Sequence, residues 1–365
     1  MGYDEKRPTR NLVLIGGSSG SLAPLRTILS TLSADFPATI LCVQHLLARG
    51  HSAAETLRGS LAIRALPGED QAPFEPGVAY FAPPDRHLLL DGEVLRVVRG
   101  PRENNVRPSI DVLFRSAAVA ARSRIVAVLL SGTQSDGVLG ISAVKRCGGV
   151  TIVQDPKDAA SPELPTRALQ ENKVDHICQS AEIGQLLATL CESEAPAAPT
   201  VPHDLLIEAR AAAAAMAPPE ELGLDVARPM HVTCPECDGP IWRLNSPGPA
   251  DFRCEVGHGF TTEALLQGQS RSLERALWVA FRTLKERGIL IDDLAKNARN
   301  RGYEASARSF DLRREEVELH AAAIHEVLTS GWAEAPEELT MPSSGESDGP
   351  SGADAGDPER GAARS

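Results

Sequence analysis

Short β-branched and apolar runs alternate with stretches of helical spacing through the first half of the sequence, and few architectures accommodate that alternation. Residues 12–15 read as a buried strand. Residues 22–32 carry Leu22, Leu25, Ile28, Leu29 and Leu32 on one helical face, and 38–43 is strand again. The rhythm returns with a strand over 125–130, a helix over 137–146 and a strand over 150–153. Strand, helix and strand in units this short join neighbouring parallel strands. The expected fold is therefore α/β, a doubly wound, mostly parallel sheet with helices on both faces. Residues 62–100 interrupt the rhythm and read as hairpins, with Gly77, Pro83, Pro84 and Asp91-Gly92 as turn signals.

The pattern stops near residue 192. Residues 192–203 hold three prolines and no apolar periodicity, and an alanine-rich helical piece over 205–216 ends at Pro218-Pro219. A cysteine cluster occupies 231–260. Beyond it, Leu266, Leu273, Leu277, Phe281 and Leu284 fall on one helical stripe, and Tyr303, Phe310, Val317, Ala321, Ile324 and Leu328 on another, with Gly302 between them. A helical hairpin is expected. The chain thus divides into an extension over 1–10, an α/β domain over 11–192, a linker with a short helix over 193–230, a metal module over 231–260, the hairpin over 261–332, and a tail over 333–365 expected to be disordered.

Charge respects the same division. Residues 1–192 hold 20 basic and 20 acidic side chains, and residues 193–365 hold 17 and 29, so the whole net charge of −12 lies in the second half. An acidic half argues against DNA or RNA binding by bulk electrostatics. No run approaches the ~20 apolar residues of a membrane span, and the charged first dozen residues do not read as a signal peptide. A cytoplasmic protein without membrane insertion is expected. Seven cysteines, an odd number with one tight cluster, suggest reduced thiols and a metal site in place of a disulfide framework.

Where the first strand hands over to the first helix, the chain reads Ile15-Gly16-Gly17-Ser18-Ser19-Gly20-Ser21. A serine there projects from the carboxyl edge of a parallel sheet beside a helix N-terminus, whose free N–H groups can stabilise an oxyanion. A plain strand-to-helix turn or a phosphate loop would look similar, although neither G-x-G-x-x-G nor G-K-[ST] is present. His45 comes directly after the second strand, and Asp136 after the strand over 125–130, so both leave the same edge as Ser18. A serine hydroxyl needs an imidazole to take its proton, and the imidazole needs a carboxylate to fix its tautomer. Taken singly, His45 also fits a surface histidine, and Asp136 an N-cap for the helix beginning near Gly137.

Together these residues resemble the CheB-type protein-glutamate methylesterases of bacterial chemosensory systems. The family's nucleophile turn, close to I-G-A-S-T-G-G, is matched by the turn around Ser18; its Q-H by Gln44-His45; and its L-T-G-x-G-x-D-G by the stretch from Leu130 to Asp136-Gly137. The stretches 80–87 (YFAPPDRH) and 107–114 (RPSIDVLF) also look like family signatures. The resemblance covers 11–190 and implies a catalytic domain over 11–192. It further implies hydrolysis of glutamate γ-methyl esters on a methyl-accepting chemoreceptor, with glutamine deamidation as a related activity. Ser18 would be the nucleophile, His45 the base, Asp136 its orienting acid, and Ser19 and Thr133 the oxyanion donors. Ser21, Thr133, Gln134 and Ser135 depart from the family pattern; Ser21 and Gln134 would narrow the approach to the serine. The receiver domain that precedes the familiar form is not seen before residue 11, so control by phosphorylation in cis is not expected.

Cys234-Pro235-Glu236-Cys237, then Cys254 and His258, offer three thiolates and an imidazole in two short-spaced pairs, the pattern of a structural zinc tetrahedron. A redox C-x-x-C and free structural cysteines are the alternatives. Trp242, Arg243, Phe252 and Arg253 between the ligands invite a nucleic-acid reading, which the acidic surroundings oppose; a protein contact or an internal brace fits better. The extension is similar, more loosely, to cysteine-bearing extensions of receiver-less CheB-type proteins. The helical stripes suit a self-packed hairpin or self-association, and His320 and His325 ordinary interface positions. A fold kept as a non-catalytic signalling scaffold and a serine hydrolase for another ester or amide are the competing functions.

Overall fold

The computed structural model describes residues 9–45, 53–214, 227–245 and 247–330. The tail over 333–365, most of the 1–10 extension and the Pro218-Pro219 stop lie outside these residues.

The α/β domain contains, in chain order, β1 Leu12–Gly17, α1 Leu22–Ser30, β2 Thr39–Gln44, α2 Ala53–Leu57, β3 Arg64–Pro67, β4 Val78–Phe81, β5 His87–Asp91, β6 Val94–Val98, α3 Ile110–Ala121, β7 Ile125–Leu129, α4 Val138–Arg146, β8 Val150–Gln154, α5 Glu163–Glu171, β9 His176–Cys178 and α6 Ser180–Glu192. Seven strands form one sheet in the order β3-β4-β2-β1-β7-β8-β9, and every pairing in it is parallel. Alternate residues of the central strands enter two cores. Leu12, Leu14, Leu41 and Val43 pack with α3, α4 and the β5–β6 hairpin, while Val13, Ile15, Ile40 and Cys42 pack with α1, α2 and α6. Strands buried on both faces read as continuous apolar runs, which explains LVLI and TILCV.

The hairpin expected over 62–100 is realised only in β5 and β6. β3 and β4 extend the parallel sheet instead; all four residues of β4 are buried, as a strand inside a parallel sheet requires. The chain leaves β1 on one side toward β2 and on the other toward β7, so the strand order reverses at β1. The registers Gly17↔Gln44 and Gly16↔Leu129 bring β1, β2 and β7 to an end at nearly one level. Crevices at such reversals are where α/β sheets bind ligands.

After α7 His203–Ala214 comes a second sheet, of four antiparallel strands: β10 Ala227–Thr233, β11 Pro240–Leu244, β12 Phe252–Cys254 and β13 Gly259–Phe260. Cys234, Ile241, Phe252, Cys254, Phe260, Ala264 and Leu265 make its small core. These strands and the first turns of the next helix belong to the same compact unit as the α/β domain, which ends at Leu273. Arg253 is buried in this unit and so is unavailable to a nucleic acid.

The second unit begins at Glu274. It holds the rest of α8 Thr262–Asn300 together with α9 Glu304–Thr329, separated at Gly302 with φ +79°. The half-buried and buried positions on α9 are 307, 310, 311, 314, 317, 321, 324 and 328, which apart from 311 form a seam of alternating steps of three and four. Val317 and Ala321 are buried there, and the Phe281 and His325 rings meet at 5.2 Å. Tyr303, at 61% exposed, stands outside the seam in which it was expected. No helix among the described residues is long and apolar enough to cross a membrane.

Candidate active site and metal cluster

The level strand ends bring Ser18, His45 and Asp136 together. The Ser18 N–H donates to the Ser131 carbonyl (2.9 Å) and the His45 N–H to the Gly17 carbonyl (3.0 Å), so the turns after β1, β2 and β7 are tied to one another by backbone. His45 lies between the other two side chains, Nδ1 at 3.3 Å from Ser18 Oγ and Nε2 at 3.1 Å from Asp136 Oδ2. The Nε2 separation is that of a hydrogen bond, but the ring N–H is not well aligned with the oxygen, as catalytic hydrogen bonds often are before substrate binds. A proton on Nε2 leaves the Nδ1 lone pair facing the serine hydroxyl, which is the tautomer a general base needs.

Asp136 is buried and well supplied with donors. Its Oδ1 accepts from Ser109 Oγ (2.7 Å), Asn104 Nδ2 (3.1 Å) and the Asp111 N–H (3.3 Å), and its Oδ2 from the Ile110 N–H (2.6 Å). The carboxylate therefore sits at the positive N-terminus of α3, not at that of the helix next to it in sequence. Burial works to raise this carboxyl, but the hydrogen bond and charge of His45 with the Ser109 and Ile110 donors outweigh it, and Asp136 stays below the ordinary carboxylate range. The N-cap of α4 is Gly137. Its N–H and that of Gly140 donate to Asp111 Oδ1 at 2.9 and 2.6 Å, so Asp111 takes the capping place that Asp136 could have filled. Burial, then the charge of Asp136, raise the Asp111 carboxyl well above its usual value.

The nucleophile turn is built on small residues at close quarters. A Cβ on Gly132 would lie 2.7 Å from Leu164 Cδ2 and 3.0 Å from Ser18 Cβ, and Gly20 adopts φ +75°. Ser21 does not narrow the approach: it is fully buried, and its hydroxyl donates to Gln44 Oε1 (2.8 Å) and lies 2.6 Å from the Ser18 carbonyl oxygen. Gln44 Nε2 also reaches that carbonyl at 3.1 Å. Ser19 and Thr133 are exposed on the rim, and among the described residues no backbone acceptor takes either N–H. Both amides are thus free to face a substrate oxygen.

Sequence reasoning missed several supports. Ser109, at the head of α3, lies in a stretch noted for its family pattern but given no role. His87 is buried, accepts from the Ser109 N–H at 3.2 Å and lies 2.8 Å from the Pro101 carbonyl; burial pushes its pKa below 6.5. Asn104, in no motif, bridges Asp136 and Asp111. Its Asn-Asn dipeptide signals a turn, and both residues have positive φ.

Cys234 and Cys237 flank the turn between β10 and β11, and Cys254 and His258 the turn after β12, where Gly257 has φ +97°. The four donor atoms lie within 4.8 Å of one another. Cys237 and Cys254 sulfurs are 3.7 Å apart, and His258 Nδ1 is 3.4 Å from Cys254 and 3.7 Å from Cys234. Tetrahedral zinc with bonds of about 2.0–2.3 Å spaces its donors by about 3.3–3.8 Å, so the residues fit a metal of that kind. The hydrogen bond from Cys234 draws the Cys254 thiol down to about 3, against burial and with help from His258, so a thiolate is already favoured in the cluster.

Comparison with known proteins finds relatives of the α/β domain. The family model described as CheB methylesterase matches residues 13–187. A candidate protein-glutamate methylesterase/protein-glutamine glutaminase of Leptospira interrogans is 34% identical over 180 residues, 49% of this chain and 93% of the relative. Protein-glutamate methylesterase/protein-glutamine glutaminase 1 of Pseudomonas aeruginosa is 32% identical over 189 residues, 51% of each chain, so this chain spans about half of that relative. The crystal structure of the Thermotoga maritima CheB methylesterase catalytic domain shares 30% identity with a TM-score of 0.48, covering 50% of this chain and 99% of that one. With a relative of this identity matched over nearly its whole length, the chain belongs to the CheB methylesterase family.

Proposed function

We propose that the chain is a protein-glutamate methylesterase acting on methylated chemoreceptors through Ser18, His45 and Asp136, and that glutamine deamidation can run on the same machinery. The observation that carries this reading is the position of His45, within hydrogen-bond reach of Ser18 Oγ on one side and Asp136 on the other. Ser18 Oγ attacks the γ-carbonyl of the methyl ester while His45 Nδ1 takes its proton. The oxyanion is held by the backbone N–H groups of Ser19 and Thr133, each worth roughly 3 kcal/mol of barrier. Collapse expels methanol, protonated by His45, and a water activated by the same imidazole hydrolyses the acyl-enzyme. Asp136 keeps the imidazole in the required tautomer and stabilises its cation.

Cys234, Cys237, Cys254 and His258 would hold zinc, with four protein ligands and a structural role. A bound zinc supplies a crosslink between the two turns, contributing on the order of 10 kcal/mol to the folding of this small sheet. The catalytic domain is taken to end near residue 192, and the helical pair beyond the module to serve self-association or partner choice.

The test is methanol release from a methylated receptor cytoplasmic fragment. Wild type should release methanol, and Ser18→Ala should lower the rate by about 10⁶-fold. Turnover that survives Ser18→Ala overturns the triad, and no release by wild type from methylated receptors overturns the substrate.

A further inference from the structure

The cysteine–histidine module is threaded into the catalytic edge of the sheet. Gly259, next to the ligand His258, accepts from the Asn104 N–H at 2.8 Å and donates to the Arg102 carbonyl at 3.3 Å, a single parallel bridge that ties the 102–104 segment to the module. Two residues on, the Thr261 N–H donates to Asn104 Oδ1 at 2.9 Å. Asn104 Nδ2 in turn donates to Asp111 Oδ2 (2.7 Å) and to Asp136 Oδ1 (3.1 Å). On a second path, Thr261 Oγ1 shares a 2.5 Å hydrogen bond with Ser135 Oγ, the residue immediately before Asp136. Asn104, Ser135 and Thr261 are each no more than 3% exposed, so water does not compete for these bonds.

The chemistry of Asn104 suits this place and no other. Its backbone has φ +52°, a conformation asparagine tolerates better than most residues. Its amide accepts from the module through oxygen and donates through nitrogen to two carboxylates that would otherwise repel. The neighbouring Glu103 extends the connection: it is ion-paired with Arg115 of α3 and, at 3.1 Å, with Arg253 of β12.

We infer that Asn104 and Thr261 are positioning residues for the triad carboxylate, and that the cysteine–histidine module thereby sets catalytic competence: the module holds Asn104 and Ser135, and these hold Asp136. The inference rests on the triad reading and adds a structural dependence of it on residues more than a hundred positions downstream. Neither residue touches the reacting atoms, so their loss should slow the chemical step and leave substrate binding alone.

The test uses the full chain with p-nitrophenyl acetate as probe, taking only the turnover lost in Ser18→Ala. Thr261→Val removes the hydroxyl at nearly constant shape. It should lower kcat by up to about 10²-fold, as small misplacements remote from the chemistry do, with KM and metal content unchanged. Tm should fall modestly as well, because the hydroxyl also accepts from the Ala264 N–H at 3.2 Å as the N-cap of α8, so kcat is read well below Tm. Thr261→Ser should restore kcat. Asn104→Leu should act in the same direction, and if it fails to fold, the Val and Ser pair at 261 decides alone. Independently, chelation of the metal should speed hydrogen exchange at 103–106 and 135–137 while 12–17 stays protected. A kcat for Thr261→Val equal to wild type, equal kcat losses in Thr261→Val and Thr261→Ser, or exchange at 103–106 indifferent to chelation overturns the inference. If turnover does not depend on Ser18, the triad reading fails instead, and the exchange experiment still decides whether the module holds the 103–106 turn.

Discussion

Replacing Asp136 with asparagine removes one charge and preserves shape, and the donors around the carboxylate determine how the amide must sit. Every neighbour of the carboxylate is a donor: Ser109, Asn104 and the Asp111 N–H at Oδ1, the Ile110 N–H and His45 at Oδ2. An amide must place its NH2 group at one of these positions. At Oδ1 it would meet up to three donors, so the less crowded Oδ2 position takes it. The NH2 then opposes the Ile110 N–H and offers a proton to His45 Nε2. The ring must accept there, its own proton moves to Nδ1, and the nitrogen facing Ser18 becomes a donor. With the base lost, the expected fall in kcat is about 10⁴-fold, or about 5.4 kcal/mol of barrier. Leaving the Ile110 N–H unpaired should also cost about 1–3 kcal/mol of stability. Methanol release measures the first and urea unfolding the second. A rate within about tenfold of wild type, with the fold intact, would refute the tautomer argument.

Three other perturbations have directions set by the same structure. Glu103→Ala leaves the buried Arg115 and Arg253 without their shared carboxylate and should destabilise by about 3–5 kcal/mol, read by denaturant unfolding. Arg115 keeps Glu208 at 3.2 Å, so a value at the low end is consistent. His87 is held below its ordinary 6.5 by burial, so the unfolded chain binds its proton more readily. Its contribution to stability is complete above about 6.5 and lost as pH falls. Wild-type Tm should therefore drop from about pH 7 to 5, and His87→Gln should flatten that slope. Cys254→Ser should abolish stoichiometric metal binding by elemental analysis and lower Tm; retention of the metal would show that the four residues are not its ligands.

The parallel sheet was legible because strands buried on both faces announce themselves as apolar runs, and Ser18, His45 and Asp136 because each comes after such a run within a few residues. The supports were not. Asn104 and Thr261 lie 157 positions apart and share no periodic pattern; only the folded registry of the module against the 102–104 segment joins them. Arg253 read as a basic residue among aromatics because nothing local reveals that Glu103 will meet it. Leu266 and Leu273 keep the helical phase of the predicted stripe yet are 48% and 45% exposed. Periodicity records which face a helix could bury, not whether anything covers it.

Asp111 and Asp136 have exchanged helices. The aspartate in the first turn of α3 serves the start of α4, and the aspartate just before α4 serves the start of α3. Neither helix can be transplanted alone with its own carboxylate. A loop graft carrying residues 130–137 into another parallel-sheet protein would bring the acid without the donors that keep it ionised. A mutational scan scored on turnover alone would rank Asp111 beside Asp136, although its carboxylate bonds Asn104, Gly137 and Gly140 and not His45, and only a parallel score for folded abundance would tell the two aspartates apart.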